Sequence, residues 1–271
     1  MVVATNIEEK FIELAHGKTR YFEAGEGYPT ILIHGAGFLS GADGFLNIIP
    51  PLAEKLHVYS IDCLNWGPGD VFDQELTFCY LVDHVREFMD ALGIQKANLV
   101  GHSMGGWIVN LFIYESPDRV NKAVLSAAGG SQTRPLQNMV DFKVPTEEQI
   151  REQIGRRIAT FPEGVDGQHI LQEYLDKAAD PRQGEAFAKV MKHMTNPMTR
   201  QRYNTVRRLP WIKVPTLVLW GTEDKTNDIS MGHTLHEGIK GSQMVTFEGA
   251  GHGIYTDQPE AYVKALLDFL P

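Results

Sequence analysis

The chain has 271 residues and a formal net charge of −9 at pH 7, from 34 acidic and 25 basic side chains. This length suits one α/β domain with an insertion and allows a substantial buried core. The acidic balance and the lack of a basic stripe argue against an electrostatic nucleic-acid surface. Two cysteines, Cys63 and Cys79, are too few for a disulfide framework and form no C-x-x-C pair.

The sequence also limits the location and the partners that we expect. Residues 1–10 show no charged segment followed by an apolar one, and no run approaches the length of a membrane span. We therefore predict a cytoplasmic protein with a small-molecule substrate and without a nucleic-acid or membrane partner, and we leave a homodimer open. His233 and His236 are three residues apart, but the residues that follow do not complete H-E-x-x-H, so no metal is predicted.

Predicted strands and helices alternate along most of the chain. Two runs, 11–14 and 19–22, predict an opening β-hairpin. The remaining predicted strands are 30–33, 58–61, 97–100, 123–126, 216–220 and 243–247, and the predicted helices are 45–55, 77–92, 105–115 and 259–270. Such alternation is typical of parallel β-α-β units with right-handed crossovers.

The alternation stops between about Gly130 and Trp211. No strand pattern occurs in that stretch, and apolar side chains fall at helical spacing instead. The predicted helices there are 147–159, 168–178 and 183–194. We therefore predict a core formed by residues 1–129 and 212–271, with residues 130–211 inserted as a helical lid that covers the pocket.

A G-x-S-x-G pentapeptide carries the first candidate catalytic residue. Gly101-His102-Ser103-Met104-Gly105 follows the predicted strand 97–100 and opens an apolar helical pattern. A strand, a sharp turn and a helix would hold the Ser103 hydroxyl clear of the sheet edge, and the glycines would relieve crowding, as in a nucleophile elbow. On its own the motif also suits a glycine-rich turn with a solvated serine. His102 should point away from the serine and is expected to be structural.

Two later strand ends carry the acid and the base that an activated serine needs. Asp224 ends a Trp-Gly-x-x-Asp motif after the strand 216–220, and His252 ends a Gly-His pair after the strand 243–247. The order Ser, Asp, His differs from that of chymotrypsin and subtilisin and is the order of the α/β-hydrolases. Asp228 is a competing acid, but Asp224 has the spacing of the motif.

A glycine-rich loop after the strand 30–33 supplies candidates for an oxyanion hole. Attack by a serine oxygen on a carbonyl creates an oxyanion, which backbone N–H groups stabilise. Within His34-Gly35-Ala36-Gly37 we assign this role to the N–H of Ala36, together with that of Met104 after the serine. The loop also suits the start of a dinucleotide fingerprint, but Ser40 stands at its third glycine position. His34 is expected to support the loop as a hydrogen-bonded interior histidine.

With these four motifs in this order, the chain resembles the α/β-hydrolase superfamily over nearly its whole length. The resemblance implies a mostly parallel central sheet flanked by helices, with an inserted helical lid. It also implies a cofactor-free serine hydrolase in which Ser103 attacks, His252 removes its proton, Asp224 orients the imidazole, and water hydrolyses the acyl-enzyme. The chain departs from the family's D-x-x-G-x-G-x-S pattern, because Asn65 and Gly69 replace a glycine and the serine.

The overall layout resembles that of the meta-cleavage-product hydrolases, which split carbon–carbon bonds in dienoate ring-fission products. Those enzymes usually have a tryptophan directly after the catalytic histidine and a lid arginine that binds the substrate carboxylate. This chain has Gly253 and, at the loosely matched arginine position, Tyr174. We therefore predict hydrolysis of a small carboxylic ester first, with carbon–carbon hydrolysis of a dienoate or 1,5-diketone as the alternative.

The sequence also suggests residues for the substrate pocket. Gly37, Phe38 and Trp66 are candidates for its wall. Arg200 and Arg202 are candidates for binding a substrate carboxylate, and a solvated helix surface is the other interpretation of these arginines. A cofactor-free oxygenase with a His–Asp base, or a ligand-binding receptor, also remains open, because one fold supports many functions.

Overall fold

The structure is a computed structural model and describes residues 6–135 and 137–271. Its strands are β1 Glu8–Leu14, β2 Gly17–Ala24, β3 Tyr28–Ile33, β4 Leu56–Ile61, β5 Ala97–His102, β6 Val120–Ser126, β7 Thr216–Gly221 and β8 Gln243–Phe247. Within the described ranges they form one eight-stranded sheet in the spatial order β1-β2-β4-β3-β5-β6-β7-β8.

The sheet is antiparallel at one edge and parallel elsewhere. β1 pairs with β2 and β2 with β4 in antiparallel register, and the other neighbouring strands are parallel. β5 and β7 are buried along their whole lengths, as expected of parallel strands covered on both faces. The predicted mostly parallel α/β sheet is therefore confirmed.

Helices flank the sheet. They are α1 Ile49–Ala53, α2 Phe78–Ala91, α3 Met104–Glu115, α4 Gln137–Val140, α5 Glu147–Ile158, α6 Gly167–Ala179, α7 Pro181–Thr195, α8 Pro197–Arg202, α9 Ile229–Gly238, α10 Ile254–Asp257 and α11 Pro259–Phe269, with 3-10 helices at Ala42–Phe45, Pro117–Arg119 and Val206–Trp211. None of the helices in the described ranges has the length and apolar character needed to cross a membrane.

The helix predicted at 45–55 is wrong in its extent. A 3-10 helix covers Ala42–Phe45, and a short α-helix, α1, begins only at Ile49. Pro50 and Pro51 are the second and third residues of this helix, within its first turn, where N–H groups have no acceptor inside the helix and their loss costs little. Further inside a helix each proline would remove a hydrogen bond, so α1 starts just before the prolines instead of continuing through them from Phe45.

The stretch between β6 and β7 contains α4–α8 and the last 3-10 helix, and residues 137–211 are called the helical insertion below. The helices α5–α8 each begin at a residue whose side chain accepts a hydrogen bond from the first turn, namely Thr146, Asp166, Asp180 and Asn196. Such caps satisfy N–H groups that have no partner inside the helix. The starts of these helices are thus specified locally, and the division into core and lid stays a prediction.

Candidate active site

Ser103 lies in the turn between β5 and α3. Its backbone has φ 55° and ψ −111°, a region that residues other than glycine rarely occupy. The turn closes because Gly101 and Gly105 lack side chains. A Cβ at Gly105 would lie 2.0 Å from the carbonyl oxygen of Ile33, and one at Gly101 would lie 2.3 Å from that of Gly105. The strained turn presents the serine at the carboxyl edge of the sheet.

The side chains of Ser103, His252 and Asp224 form one hydrogen-bonded chain. Nε2 of His252 lies 3.0 Å from Oγ of Ser103, and Nδ1 lies 2.8 Å from Oδ2 of Asp224. An ionised carboxylate only accepts hydrogen bonds, so it fixes the proton on Nδ1 and leaves Nε2 free to accept the serine proton. The geometry matches that of a nucleophile, a base and an orienting acid.

The loop after β7 distinguishes between the two candidate acids. Oδ1 of Asp224 accepts hydrogen bonds from the N–H groups of Thr226 and Asn227 at 2.8 and 2.9 Å, which orients Oδ2 toward the imidazole. Asp228 instead caps α9, where its carboxylate accepts from the N–H of Ser230. The structure therefore joins Asp224, and not Asp228, to His252.

The loop after β3 holds Ala36 beside the elbow. A Cβ on Gly35 would lie 3.2 Å from Cβ of Ser103. The N–H of Ala36 has no hydrogen-bond partner among the described residues, and Met104 is the first residue of α3, where N–H groups lack an acceptor inside the helix. Both predicted donors are thus free to bind an oxyanion, and their role stays a prediction.

The imidazole of His34 supports this loop through hydrogen bonds. The N–H of Cys63 donates to Nε2 of His34 at 2.9 Å, so Nδ1 carries the proton and donates to the carbonyl of Gly35 at 2.7 Å. Burial lowers the pKa of His34, which keeps the imidazole neutral. This carbonyl belongs to the peptide unit whose N–H is that of Ala36, so the hydrogen bond orients the candidate donor.

A cavity of about 440 Å³ opens over Ser103. The residues that line it are Gly35, Ala36, Gly37, Phe38, Leu39, Ser40, His102, Ser103, Met139, Phe142, Lys143, Pro145, Gln153, Phe187, Met191, Thr226, His252 and Tyr255. Its walls come from the loop after β3, the elbow, the His252 loop and the helical insertion. It is large enough for a small organic substrate.

Two of the predicted wall residues line this cavity and one does not. Gly37 and Phe38 are among the lining residues. Trp66 is 2% exposed, donates from its indole N–H to the carbonyl of Gly37 at 2.9 Å, and packs against the ring of Phe187. The assignment of Trp66 to the wall is therefore corrected: it supports the loop from behind, because its indole N–H needs a buried acceptor.

The predicted carboxylate-binding arginines do not reach the cavity. Arg200 is buried, donates to the carbonyl of Met194 at 3.0 Å and lies 5.3 Å above the ring of Trp107, and its burial lowers its pKa. Arg202 is exposed and lies over the ring of Tyr203. The assignment of the two arginines to the substrate pocket is therefore corrected: Arg200 makes a buried structural contact, Arg202 is a surface charge, and neither is among the lining residues.

Two polar side chains of the helical insertion that no sequence motif indicates also line the cavity. Lys143 is exposed and lies before α5, and Gln153 lies within that helix. Lys143 is the only lysine or arginine among the described lining residues. No motif surrounds either residue, so only the folded positions of the insertion identify them.

His102 lines the cavity next to the proposed base. The centre of its ring lies 4.8 Å from that of His252 and 5.0 Å from that of Tyr255. Burial, followed by repulsion from His252, lowers the pKa of His102 well below its usual range. A neutral His102 places no second positive charge beside a protonated His252.

One cluster in the described ranges brings metal-ligand atoms together. Atoms of Glu9, His169 and Glu173 lie within 4.8 Å of one another. Both carboxylates already accept from the guanidinium of Arg20, at 3.3 and 2.6 Å. Arg20 therefore compensates their charge, and the cluster lines no part of the cavity above Ser103.

Comparison with known proteins places the fold in a family. The family model that describes the alpha/beta hydrolase fold matches residues 28–259. The chain belongs to the α/β-hydrolase family. The predicted hydrolase fold is thereby confirmed, and the family supports a hydrolase activity.

Two relatives and one solved structure are similar to the chain over nearly its whole length. The chain is 30% identical to a 2-hydroxy-6-oxononadienedioate/2-hydroxy-6-oxononatrienedioate hydrolase of Paraburkholderia phymatum, over 96% of this chain and 95% of the relative. It is 28% identical to a 2-hydroxy-6-oxo-6-(2'-aminophenyl)hexa-2,4-dienoic acid hydrolase of Metapseudomonas resinovorans, over 97% and 90%. A meta-cleavage product hydrolase from Pseudomonas fluorescens IP01 superposes with a TM-score of 0.78 at 26% identity, over 96% of both chains.

Proposed function

We propose that this α/β-hydrolase is a serine hydrolase that cleaves a carbon–carbon bond in a 2-hydroxy-6-oxo dienoic acid. The observation that carries the proposal is the hydrogen-bonded chain of Ser103, His252 and Asp224 at the base of the cavity. The choice of substrate is supported by the relatives at 28% and 30% identity, whose names specify such acids. This reverses the order expected from the sequence, in which ester hydrolysis came first.

In the proposed reaction, Nε2 of His252 accepts the proton of Ser103 as Oγ attacks the 6-oxo carbon. The N–H groups of Ala36 and Met104 stabilise the oxyanion that forms. The bond from carbon 6 to carbon 5 then breaks, and carbon 5 leaves with the electron pair. A carbon leaving group needs delocalisation, which the substrate provides once its 2-hydroxy group has ketonised, because the pair then spreads to the 2-oxo group.

The second half of the proposed reaction regenerates the serine. Protonated His252 returns its proton to the leaving fragment, and the acyl group stays on Oγ of Ser103. Water then attacks the acyl carbon as His252 removes one of its protons, and the carboxylic acid is released. Asp224 stabilises the imidazolium in both halves without accepting its proton.

Hydrolysis of a carboxylic ester is the second candidate. It is favoured by the composition of the cavity wall, where the only arginine or lysine among the described lining residues is the exposed Lys143. A neutral ester needs no cationic partner, whereas a dienoate carries a carboxylate that gains from one. The ester also provides its own leaving oxygen, so that no electron sink is required.

Two measurements separate these candidates from each other and from a binding protein. Labelling by a fluorophosphonate tests for an activated serine, with Ser103→Ala as the control that must remain unlabelled. Turnover is then compared for 2-hydroxy-6-oxo-6-phenylhexa-2,4-dienoate and p-nitrophenyl butyrate. We expect stoichiometric labelling and the larger kcat/KM on the dienoate. Labelling with turnover of the ester alone would replace the proposal by an esterase, and an unreactive Ser103 would favour an oxygenase or a receptor.

A further inference from the structure

Two cations of the helical insertion bind consecutive carbonyls of the loop that carries Ala36. The carbonyl of Phe38 accepts from Nζ of Lys177, on α6, at 3.3 Å. The carbonyl of Leu39 accepts from Nη2 of Arg157, on α5, at 2.6 Å. These contacts tie the insertion to the loop that would supply an oxyanion donor.

The two cations differ in how their charge is compensated. Arg157 forms an ion pair with Asp43. Lys177 is 4% exposed, and among the described residues its ammonium has a single hydrogen-bond acceptor, the carbonyl of Phe38. The ammonium lies 4.7 Å from the centre of the Phe38 ring and 5.8 Å from that of Phe187, both of which line the cavity.

The two buried carboxylates that face Lys177 form ion pairs with other cations. The charged and titratable groups that face it from other elements are Arg20, His34, Asp43 and Asp62. Arg20 bonds to Asp62 at 2.8 Å and to Asp43 at 3.1 Å, and Arg157 completes the pairing of Asp43. Both buried carboxylates thus already have a hydrogen-bonded cation, and among the described residues Lys177 forms no ion pair with either of them.

A buried ammonium without an ion-pair partner is unfavourable for folding. Burial lowers the pKa of Lys177 to about 8. The folded state therefore binds this proton less tightly than the unfolded chain does, and the charged form of Lys177 opposes folding below about pH 8. An uncharged side chain of similar length would avoid this cost.

We propose that Lys177 is a positioning residue whose ammonium holds the Phe38 carbonyl, and through the loop the N–H of Ala36, in the geometry that stabilises the oxyanion. Loss of the Lys177 proton leaves a neutral amine, which is a weaker donor to the carbonyl. The loop then relaxes, and a displacement of about 1 Å in an oxyanion donor is costly to the rate. The inference requires an activated Ser103 but holds for an ester and for a carbon–carbon bond alike.

The test measures the rate of fluorophosphonate labelling of Ser103, and kcat and KM for p-nitrophenyl acetate, between about pH 6 and about pH 10. Lys177→Met removes the ammonium, and Lys177→Arg keeps a cation that does not titrate in this range. Lys192→Met, on the exposed side of α7, is the matched control.

In the wild type and in Lys192→Met we expect both rates to fall through an apparent pKa near 8. Lys177→Met should lower kcat and the labelling rate about tenfold at pH 7, leave KM within about twofold, and abolish the alkaline fall. Lys177→Arg should restore most of the rate at pH 7 and also lack the fall. The midpoint of urea unfolding of Lys177→Met should equal or exceed that of the wild type at pH 7.

Three results would contradict the proposed role of Lys177, each in a different way. Normal labelling of Lys177→Met, with the wild-type pH profile, would show that the Lys177 ammonium does not position the loop. A parallel loss of stability and activity, with the alkaline fall retained, would show that Lys177 only supports packing. A wild type that the fluorophosphonate does not label would overturn the inference together with the proposed serine chemistry.

Discussion

The two sides of the cavity are built by different means. On the sheet side, Ser103, Asp224 and His252 follow strand ends, and backbone geometry fixes them, as in the positive φ of Ser103. On the side of the helical insertion, the cavity is lined by side chains of residues such as Lys143 and Gln153. The chemistry of the site therefore depends on main-chain turns, whereas recognition depends on individual side chains that can change without altering those turns.

The largest effect is expected on the sheet side. Ser103→Ala and His252→Ala should each lower kcat by about 10⁴ or more, because either change removes the nucleophile or its base. Asp224→Asn should be nearly as severe, because an amide can donate to Nδ1 and so favour the wrong tautomer. The measurement is kcat on the preferred substrate.

Asp228→Asn is the matched control for the acid, since Asp228 caps α9 instead of contacting His252. It should leave kcat nearly unchanged. A crippling effect of Asp228→Asn with a mild effect of Asp224→Asn would reverse the assignment of the acid.

The second-largest effect, on stability, is expected at the ion pairs that join the core to the helical insertion. Arg20 is fully buried and donates to Asp43 and Asp62 of the core and to Glu173 of α6. Arg20→Met should lower the free energy of unfolding by about 3–5 kcal/mol, because it leaves buried carboxylates without their partner. Urea denaturation of this variant and of Lys264→Met, which breaks an exposed pair with Asp268, provides the comparison. Equal midpoints for the two variants would mean that the buried pairs contribute nothing to stability.

The sequence predicts the sheet side well for a physical reason. A strand end followed by a tight turn needs glycines at fixed positions, so the turn and the residue that it presents are encoded within about five residues. Ser103, Asp224 and His252 could be named from such local patterns, and the structure brings their side chains into one hydrogen-bonded chain. Their catalytic roles remain predictions.

The contacts of the helical insertion are poorly predicted from the sequence, because they join residues that lie far apart along the chain. Arg20 and Lys177 both lie near the carboxylates of Asp43 and Asp62, and no local sequence pattern connects these four residues. The prediction that Arg200 of α8 binds a substrate carboxylate is wrong, because a helix of six residues is too short for its apolar spacing to define which face is buried.

The third prediction concerns recognition by the insertion. Lys143→Met should raise KM for an anionic dienoate about three- to tenfold and leave that for a neutral ester within about twofold, because a solvent-accessible ion pair is worth only about 1 kcal/mol. Arg202→Met removes an exposed cation of the same insertion that does not line the cavity and should change neither KM. Equal effects of Lys143→Met on both substrates would remove Lys143 from carboxylate recognition and strengthen the esterase candidate.

The smallest effect is a pH dependence of stability where the insertion meets the core. Burial raises the pKa of Glu173 to about 7 although Arg20 lies beside it, and Glu9 and His169 face the same carboxyl group. Folding therefore favours the protonated form, so the contribution of Glu173 to stability falls as the pH rises from about 4.5 to about 7. Glu173→Gln cannot ionise, and its free energy of unfolding relative to the wild type should rise across this window, by about 1 kcal/mol because solvent screens this half-buried group and reduces the full effect of the shift. Glu185→Gln, on the exposed face of α7, should show no such trend. Urea unfolding at several pH values measures both, and a constant difference between Glu173→Gln and the wild type would show that the Arg20 ion pair keeps Glu173 ionised throughout.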